Sequence, residues 1–363
     1  MDTVEQPGAD PLGVDAVRLG PYLGAELQDY DPAGQLTITP LVGGRSNLTY
    51  RLSQADRSWV LRRPPLGHVM PSAHDMAREF RTLAFLSGNH FPVPEPVALC
   101  EDRSVLGVTF QILGYVPGLV IADESAARRL AAADADHLCQ ELVRVLSRLH
   151  SIPAPAVAPG QSTSSAHYLR RQVNRWTDQW ERTKTRELPA VARISQWLQG
   201  AIGDVPADHQ VTVVHGDYRL DNLILDPLTK DIRAVLDWEM STLGDPLMDL
   251  AVLLVYWEQY SDTLRKQVAV AGNLTTFPGF WSRGRLAEEY FKGAAIPVDQ
   301  RHLDICLALA CLKLAVIMES VHYRYLAGQT VDELSAGLEA AAPALLQMGV
   351  LVSEGKGIDG LAA

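Results

Sequence analysis

The sequence predicts an α+β protein in two parts, a small antiparallel sheet lobe followed by a larger, mainly helical lobe. Three observations carry that expectation. Apolar residues alternate with a period of two through the strands of residues 36–62, and two further strand-like runs follow at 97–101 and 108–113. Beyond the turn-rich segment Gly114-Tyr-Val-Pro-Gly118 the spacing becomes helical. Within that helical part, two short apolar runs bracket one polar stretch, Val-Val-His215-Gly-Asp217-Tyr-Arg-Leu-Asp-Asn222-Leu-Ile-Leu.

The elements follow in order. Residues 1–13 read as a loose tail, and a short helix is expected over Val14–Leu27. Leu36–Val42, Leu48–Leu52 and Ser58–Arg62 read as three strands, with Gly43-Gly44 turning between the first two and Pro64-Pro65 ending the third. A helix starts near Ser72, where Ser72 and Asp75 form a capping signature, and Met76, Phe80, Leu83 and Ala84 recur on its apolar side. Phe91–Pro96 breaks it, and two more strands are expected at Val97–Glu101 and Val108–Leu113, after the antiparallel meander that the first three make. The helical part holds helices at Ala132–His150, His167–Lys184 and Val191–Ile202, a loop over 154–165, a strand at Val211–Val214, and a hairpin of Asn222–Leu225 with Ile232–Leu236. Leu247–Trp257 and Ile305–Met318 are apolar stretches interrupted by Asp249 and Lys313. Both are too short for a bilayer and read as core helices. The resulting plan is a tail and short helix (1–34), a sheet lobe (35–113), a hinge (114–118) and a helical lobe (119–363).

Composition narrows the function classes. With 363 residues, 47% hydrophobic and 21% charged, the chain has material for a packed core. A net charge of −11 argues against a general nucleic-acid binder, which wants a basic face. Cys100, Cys139, Cys306 and Cys311 form no CxxC pair or zinc spacing and read as reduced, buried thiols. The first twelve residues show no basic signal-peptide region. A cytoplasmic protein with neither a nucleic-acid nor a membrane partner is expected; oligomeric state is not readable.

The polar stretch carries the chemistry. Phosphoryl transfer to a hydroxyl uses an Asp that accepts the hydroxyl proton and, five positions on, an Asn that holds a metal ion. Asp217 and Asn222 have that spacing. The next apolar run delivers Asp237, in Ala-Val-Leu-Asp237-Trp-Glu239, as a second oxygen ligand. Mg²⁺ asks for hard oxygens and takes only one or two carboxylates beside phosphates and water. His215 is expected to orient the loop by hydrogen bonding.

HGDYRLDNLILD followed by VLDWEMSTLGDPLMDLA resembles the aminoglycoside phosphotransferase and choline kinase-like family, over roughly residues 35–330. Within it the chain looks most like the kinase domain fused, in animals, to acyl-CoA dehydrogenases. The resemblance implies a two-lobed protein-kinase-like fold and an enzyme that uses ATP and Mg²⁺. It implies Asp217 as catalytic base and Asn222 and Asp237 as magnesium ligands. Gly43, Gly44, Arg45, Ser46 and Asn47 would cover the phosphates, although they lack a full GxGxxG. Glu79 would pair with the cation on the third strand, and Gln111, Leu113 and Tyr115 would lie in the segment that reads adenine. Asp245 and Asp249, in a GDPxxD pattern, would support the metal loop.

One position departs from the common pattern. Arg62, on the strand face of Val60, stands where most kinases carry Lys on strand three. Arg keeps its charge and binds phosphate as a fork, but is bulkier. The expected activity is transfer of the γ-phosphoryl group of ATP to a hydroxyl of a small molecule. Two rivals are an aminoglycoside 3'-type resistance kinase and a non-catalytic nucleotide-binding pseudokinase.

For the acceptor, the segment 166–193 has seven cations (Arg170, Arg171, Arg175, Arg182, Lys184, Arg186, Arg193) against three acids (Asp178, Glu181, Glu187), a surplus of four positive charges. It reads either as a solvated helix face or as an anion-binding flank for a hydroxyacyl-CoA-like acceptor. Arg171, Arg175, Glu239 and Trp257 are the candidate acceptor residues. Trp176 and Trp180, one helical turn apart, read as core, and His150 as a cation favourably placed at a helix C-terminus.

Overall fold

The computed structural model describes residues 11–41, 47–66, 75–154, 164–206, 209, 211–268, 270, 272–294, 299–328 and 337–362. The chain divides into two compact units, Met1–Pro117 with Arg233–Glu239, and Gly118–Ile232 with Met240–Ala363. Residues 233–239 thus group with the sheet unit, although they follow it by more than a hundred positions.

The sheet unit has five strands: β1 (Thr37–Pro40), β2 (Leu48–Gln54), β3 (Arg57–Arg63), β4 (Pro96–Cys100) and β5 (Phe110–Gly114). Each falls where the period-two pattern places one. The first three form the expected antiparallel meander, but the full order is β1-β2-β3-β5-β4, all antiparallel, with β5 and not β4 next to β3. The reason is helix α2 (Met76–Gly88), which intervenes between β3 and β4 and packs on both β4 and β5. The chain returns outside the last strand, so β5 slots in next to β3. Alternation fixes the faces. Trp59, Leu61 and Arg63 of β3 point into the buried side with Tyr50, Leu52 and Gln54 of β2. Arg62 points to the other side.

Helix α1 (Ala16–Glu26) covers the buried face with Leu19 and Leu23, both fully buried against Leu52, Leu61, Phe110 and Ile112. Tyr22 meets Phe110 edge-on at 5.3 Å. Asp75 caps α2 by accepting the Arg78 amide at 2.9 Å; Ser72, its expected partner in the signature, lies outside the described residues. The inward stripe of α2 is Met76, Glu79, Leu83 and Leu86. Ala84, expected on that stripe, is exposed. A carboxylate therefore takes a position that hydrophobic spacing cannot foresee.

The second unit is mainly helical. After the short helices α3 (Arg103–Leu106, in the first unit) and α4 (Glu124–Arg128) come α5 (Ala132–Ser151), α6 (Ser165–Thr183), α7 (Pro189–Ala201), α8 (Leu247–Tyr256), α9 (Arg283–Ala294), α10 (Gln300–Leu326) and α11 (Ala341–Leu351). The expected apolar side of α5, Leu138, Leu142, Val145, Leu146 and Leu149, is completely buried. Trp176 and Trp180 of α6 are core residues, as read.

α10 is longer than the apolar stretch inside it. Its 27 residues have the length and composition to cross a membrane, yet 83% of the qualifying window is buried inside the protein, against α6, α7, α8 and α11. The core-helix reading holds and the estimate of its length does not, because polar residues at both ends extend the helix beyond the hydrophobic run. All four cysteines are buried and free.

Two features of this unit left little trace in hydropathy. β6 (Thr212–Val214) pairs antiparallel with a three-residue strand, β9 (Thr242–Gly244). Between α8 and α9 the irregular chain is tied by two buried arginines. Arg265 donates to the carbonyls of Tyr256, Val268 and Val270, and Arg283 pairs with Asp262 and donates to the Leu254 carbonyl. Backbone without a ladder must find partners, and the guanidinium forks supply them.

Candidate active site

The loop from His215 to Asn222 lies in the helical unit. β6 leads into it and β7 (Leu223–Leu225) leads out. Nearly every backbone polar group of its first turn is held by a side chain. Asp249, near the start of α8, accepts the His215 amide on Oδ2 and the Gly216 amide on Oδ1, each at 2.7 Å. The Asp217 amide donates to His215 Nδ1 at 3.1 Å, which gives His215 the orienting role expected of it. Lys313 of α10 donates to the Gly216 carbonyl. Gly216 has φ +85°, and a Cβ there would sit 2.7 Å from the Met240 carbonyl oxygen, so no other residue fits without strain.

Asp249 is the buried hub. It also takes His150 Nε2 at 3.2 Å, while His150 Nδ1 faces the Tyr290 hydroxyl at 2.7 Å. His150, in the last turn of α5 as its position suggested, is also a buried link in this network; the chain folds Asp249 onto it from ninety-nine positions away. Burial pushes the Asp249 carboxyl up, but hydrogen bonding and charge from His150, with His215 and the Gly216 amide, outweigh it and hold the group below the usual carboxylate range. Asp245, the other acid of the pattern, accepts the Leu247 amide at 2.9 Å and pairs with His302 at 2.6 Å. Asp249 thus supports the loop as expected, whereas Asp245 ties the start of α8 to α10.

The Asp217 carboxylate stays partly exposed, at 19%. It accepts Arg219 Nε at 3.1 Å and Asn222 Nδ2 at 3.3 Å, and Asn222 Nδ2 also reaches the Asp217 carbonyl at 2.9 Å. With its amide nitrogen so engaged, Asn222 has its Oδ1 left to offer a cation. Arg219 also bridges to Asp221 at 3.2 Å and lies 4.9 Å over the Tyr256 ring. The spacing argument missed Arg219 because it lies inside the motif, where its pairing with its own neighbours has no periodic signature.

The sheet unit holds a second set. Arg62 Nη2 lies 3.4 Å from Glu79 and 3.1 Å from Asp237. Across the sheet Arg62 is in register with Thr49 and Gln111. The expected Arg62–Glu79 pair is thus formed, with Asp237 added to it. Glu79 is almost wholly buried, and burial pushes its carboxyl up although Arg62 opposes the shift. For Arg62 burial lowers the pKa, but Glu79 and Asp237 more than compensate and keep it charged.

Asp237 has φ +65°, a conformation that is uncommon and costly for a non-glycine residue. Its neighbours hold it: the Trp238 indole donates to the Val235 carbonyl at 2.9 Å, and that ring meets Phe91 edge-on at 5.9 Å. Glu239 accepts Asn47 Nδ2 at 3.0 Å, and Arg78 donates to its carbonyl. Leu113 and Gln111 are buried in β5, and the Tyr115 ring lies 4.3 Å under Arg51. Gly43, Gly44, Arg45 and Ser46 lie outside the described residues.

The acceptor candidates fare unevenly. Trp257 is buried, with its indole N–H committed to the Trp281 carbonyl at 2.8 Å and Phe280 edge-on at 5.7 Å. It is a packing residue, and the aromatic surface it was expected to offer is spent on the core. Glu239 is tied to Asn47 and Arg78 within the sheet unit. Three of the seven cations of the basic segment are paired with acids: Lys184 with Glu181 and Glu187, Arg186 with Glu319, Arg193 with Glu354. Arg170, Arg171 and Arg175 stay exposed, with Arg175 against the Trp176 ring at 5.1 Å.

A small antiparallel sheet with a mainly helical remainder that carries a clamped Asp–Asn loop is a protein-kinase-like fold of the phosphotransferase class. More particularly, the chain belongs to the phosphotransferase enzyme family, which matches residues 37–287. Mouse acyl-CoA dehydrogenase family member 10 is 35% identical over 306 residues, 82% of this chain and 27% of that protein. Human acyl-CoA dehydrogenase family member 11 is 31% identical over 344 residues, 94% of this chain and 43% of that protein. The chain thus spans well under half the length of these relatives. Among solved structures, a candidate aminoglycoside phosphotransferase from Ralstonia eutropha JMP134 is 27% identical, with a TM-score of 0.77 over 94% of this chain and 98% of that one. Aminoglycoside phosphotransferase APH(4)-Ia, solved with AMP-PNP and hygromycin B, shares the fold at 16% identity and a TM-score of 0.58, covering 92% of this chain and 98% of its own.

Proposed function

We propose that the protein transfers the γ-phosphoryl group of ATP to a hydroxyl of a small molecule, with Asp217 as the base that orients the hydroxyl and accepts its proton. The observation that carries this reading is the Asp217–Asn222 loop. Its carboxylate is partly exposed, directed by Asn222 and Arg219, and mounted on a turn whose amides are held by Asp249 and His215. A base must be held in position more than it must be strong, since transfer of this kind depends on alignment and charge.

Asn222 and Asp237 each carry a hard oxygen of the kind Mg²⁺ takes and are the residues that would hold it; when bound, the ion would offset negative charge on the phosphates. Arg62, kept ionised by Glu79 and Asp237, is the candidate clamp for the phosphates in place of lysine. The segment 43–47 would close over them, and Gln111, Leu113 and Tyr115 belong to the stretch that would receive adenine. The nucleotide bound in the APH(4)-Ia complex, a protein of the same fold, supports ATP as donor.

For the acceptor we favour an anionic, hydroxyacyl-CoA-like compound. The names of the curated relatives point to acyl-CoA chemistry, and Arg170, Arg171 and Arg175 remain as exposed cations. The test is ADP release from Mg-ATP across a panel of hydroxyacyl-CoAs and kanamycin-type sugars, with the Asp217→Ala variant alongside. Turnover with a hydroxyacyl-CoA, lost in that variant while calorimetry still detects Mg-ATP binding, is the expected result. Turnover only with the sugars would make the chain a resistance kinase. Nucleotide binding with no turnover on any acceptor would make it a pseudokinase.

A further inference from the structure

Lys313 is the one charged residue in the apolar centre of α10, residues 305–318. It is 6% exposed, between Leu312 and Leu314, which are buried. Removing an ammonium from water is costly, whereas a hydrophobic residue would pack in such a helix at no such cost. One charge-assisted hydrogen bond to a carbonyl offsets only part of that cost. Packing alone therefore gives no reason for a lysine here.

Its surroundings do. Nζ donates to the Gly216 carbonyl, the one acceptor it has among the described residues. The amides of the same turn are held from the other side by Asp249 and His215. Lys313 thus completes the clamp on the peptide that precedes Asp217. Trp176 closes over it, with Nζ 6.0 Å from the ring centroid. Burial pushes the ammonium pKa down; Asp217 and Asp249 push it back up, and Arg175 adds to the lowering. The charge is thus coupled to the candidate base as well as to its scaffold.

We propose that Lys313 is a positioning residue for phosphoryl transfer: by holding the Gly216 carbonyl from α10 it fixes the direction of the Asp217 carboxylate. This rests on the reading of Asp217 given above. It acts through Asp217 and need not touch either substrate, so the effect belongs in kcat and not in the KM for ATP. If Lys313 only held the fold together, its loss would appear in the melting temperature, and kcat would fall only as the fold weakened.

The experiment compares Lys313→Met and Lys313→Gln with wild type, using Mg-ATP and whichever panel acceptor the wild type turns over. Thermal melting and Mg-ATP calorimetry are run on each. Lys313→Met should melt at or above the wild-type temperature and bind Mg-ATP as well, yet lose about 10- to 100-fold in kcat, the scale of a displaced reacting group. Lys313→Gln keeps an N–H donor for the carbonyl and should fall between the two. Wild-type kcat in Lys313→Met would overturn this inference alone. So would a loss of kcat that merely tracks a loss of melting temperature in both variants. Absence of turnover in the wild type would overturn the transferase reading, and this inference with it.

Discussion

Asp249 accepts the backbone amide of Gly216 at 2.7 Å through Oδ1, and through its other oxygen it holds His215. One carboxylate thus sets two consecutive peptides of the loop that carries Asp217. An amide cannot do the same, because its NH₂ would face an N–H donor. Asp249→Asn should therefore destabilise the protein by about 3 kcal/mol, the scale for leaving buried donors unpaired, and lower kcat with it. Urea denaturation and ADP release measure both. The pH dependence follows from the sign of the shift. The folded pKa of Asp249 is depressed, so its contribution is complete above the unfolded value near 4 and is lost as pH falls through the folded pKa. The stability gap between wild type and Asp249→Asn should be widest near neutrality and narrow below about pH 4. A gap independent of pH would show that the carboxylate charge is not what holds the loop.

Gly216→Ala tests the same turn from the backbone. The φ of +85° and the approach of Met240 act together: a left-handed alanine costs on the order of 1 kcal/mol, and the clash adds to it. A loss of about 2 kcal/mol in unfolding free energy, with a fall in kcat at unchanged Mg-ATP affinity, is expected. Native stability and turnover would mean that the turn can relax away from Met240.

How much of this could be read in the sequence depended on the range of the interaction. Asp217 and Asn222 are five positions apart in one loop, and their spacing alone placed them. The strands were legible because alternation is local, and so was the buried side of α5. The order of β4 and β5 was not, since it depends on where α2 returns the chain. His150 and Lys313 were visible only as a helix-terminal histidine and as an interruption in an apolar run. Their roles arise from contacts with Asp249 and Gly216, about a hundred positions distant in each case, which no periodicity reports. Trp257 was misjudged for the same reason: its indole is spent on a carbonyl twenty-four residues later.

The Arg62–Glu79 pair makes a stability prediction independent of catalysis. Glu79 is 2% and Arg62 14% exposed, so removing one partner strands a buried charge. Arg62→Leu should cost about 3 kcal/mol, and Glu79→Leu a similar amount. The double variant should cost less than the sum of the two, since neither charge is then left alone. Asp237 limits the recovery, because it loses Arg62 in both backgrounds. Chemical denaturation of the four proteins closes the cycle. Strict additivity would mean that Glu79 and Arg62 are energetically uncoupled despite their 3.4 Å separation.

The exposed cations of α6 decide between acceptor classes. Arg171 and Arg175 are exposed on α6, whereas Lys184, Arg186 and Arg193 beyond it are paired with acids, so they are placed to meet a phosphate- or carboxylate-bearing acceptor. Reversing both, Arg171→Glu with Arg175→Glu, leaves the core alone, since both are exposed, and should leave the KM for ATP where it was. The KM for an anionic acceptor should rise by about tenfold or more, the effect of losing one or two charge-assisted hydrogen bonds at 1.4 kcal/mol per decade. That rise should shrink as salt is added, because exposed charges are screened over about 10 Å at 0.1 M. A cationic acceptor would respond in the opposite sense, with KM falling in the reversed variant. An acceptor KM indifferent to both substitution and salt would place acceptor recognition away from this face of α6 and leave its arginines as a solvated surface.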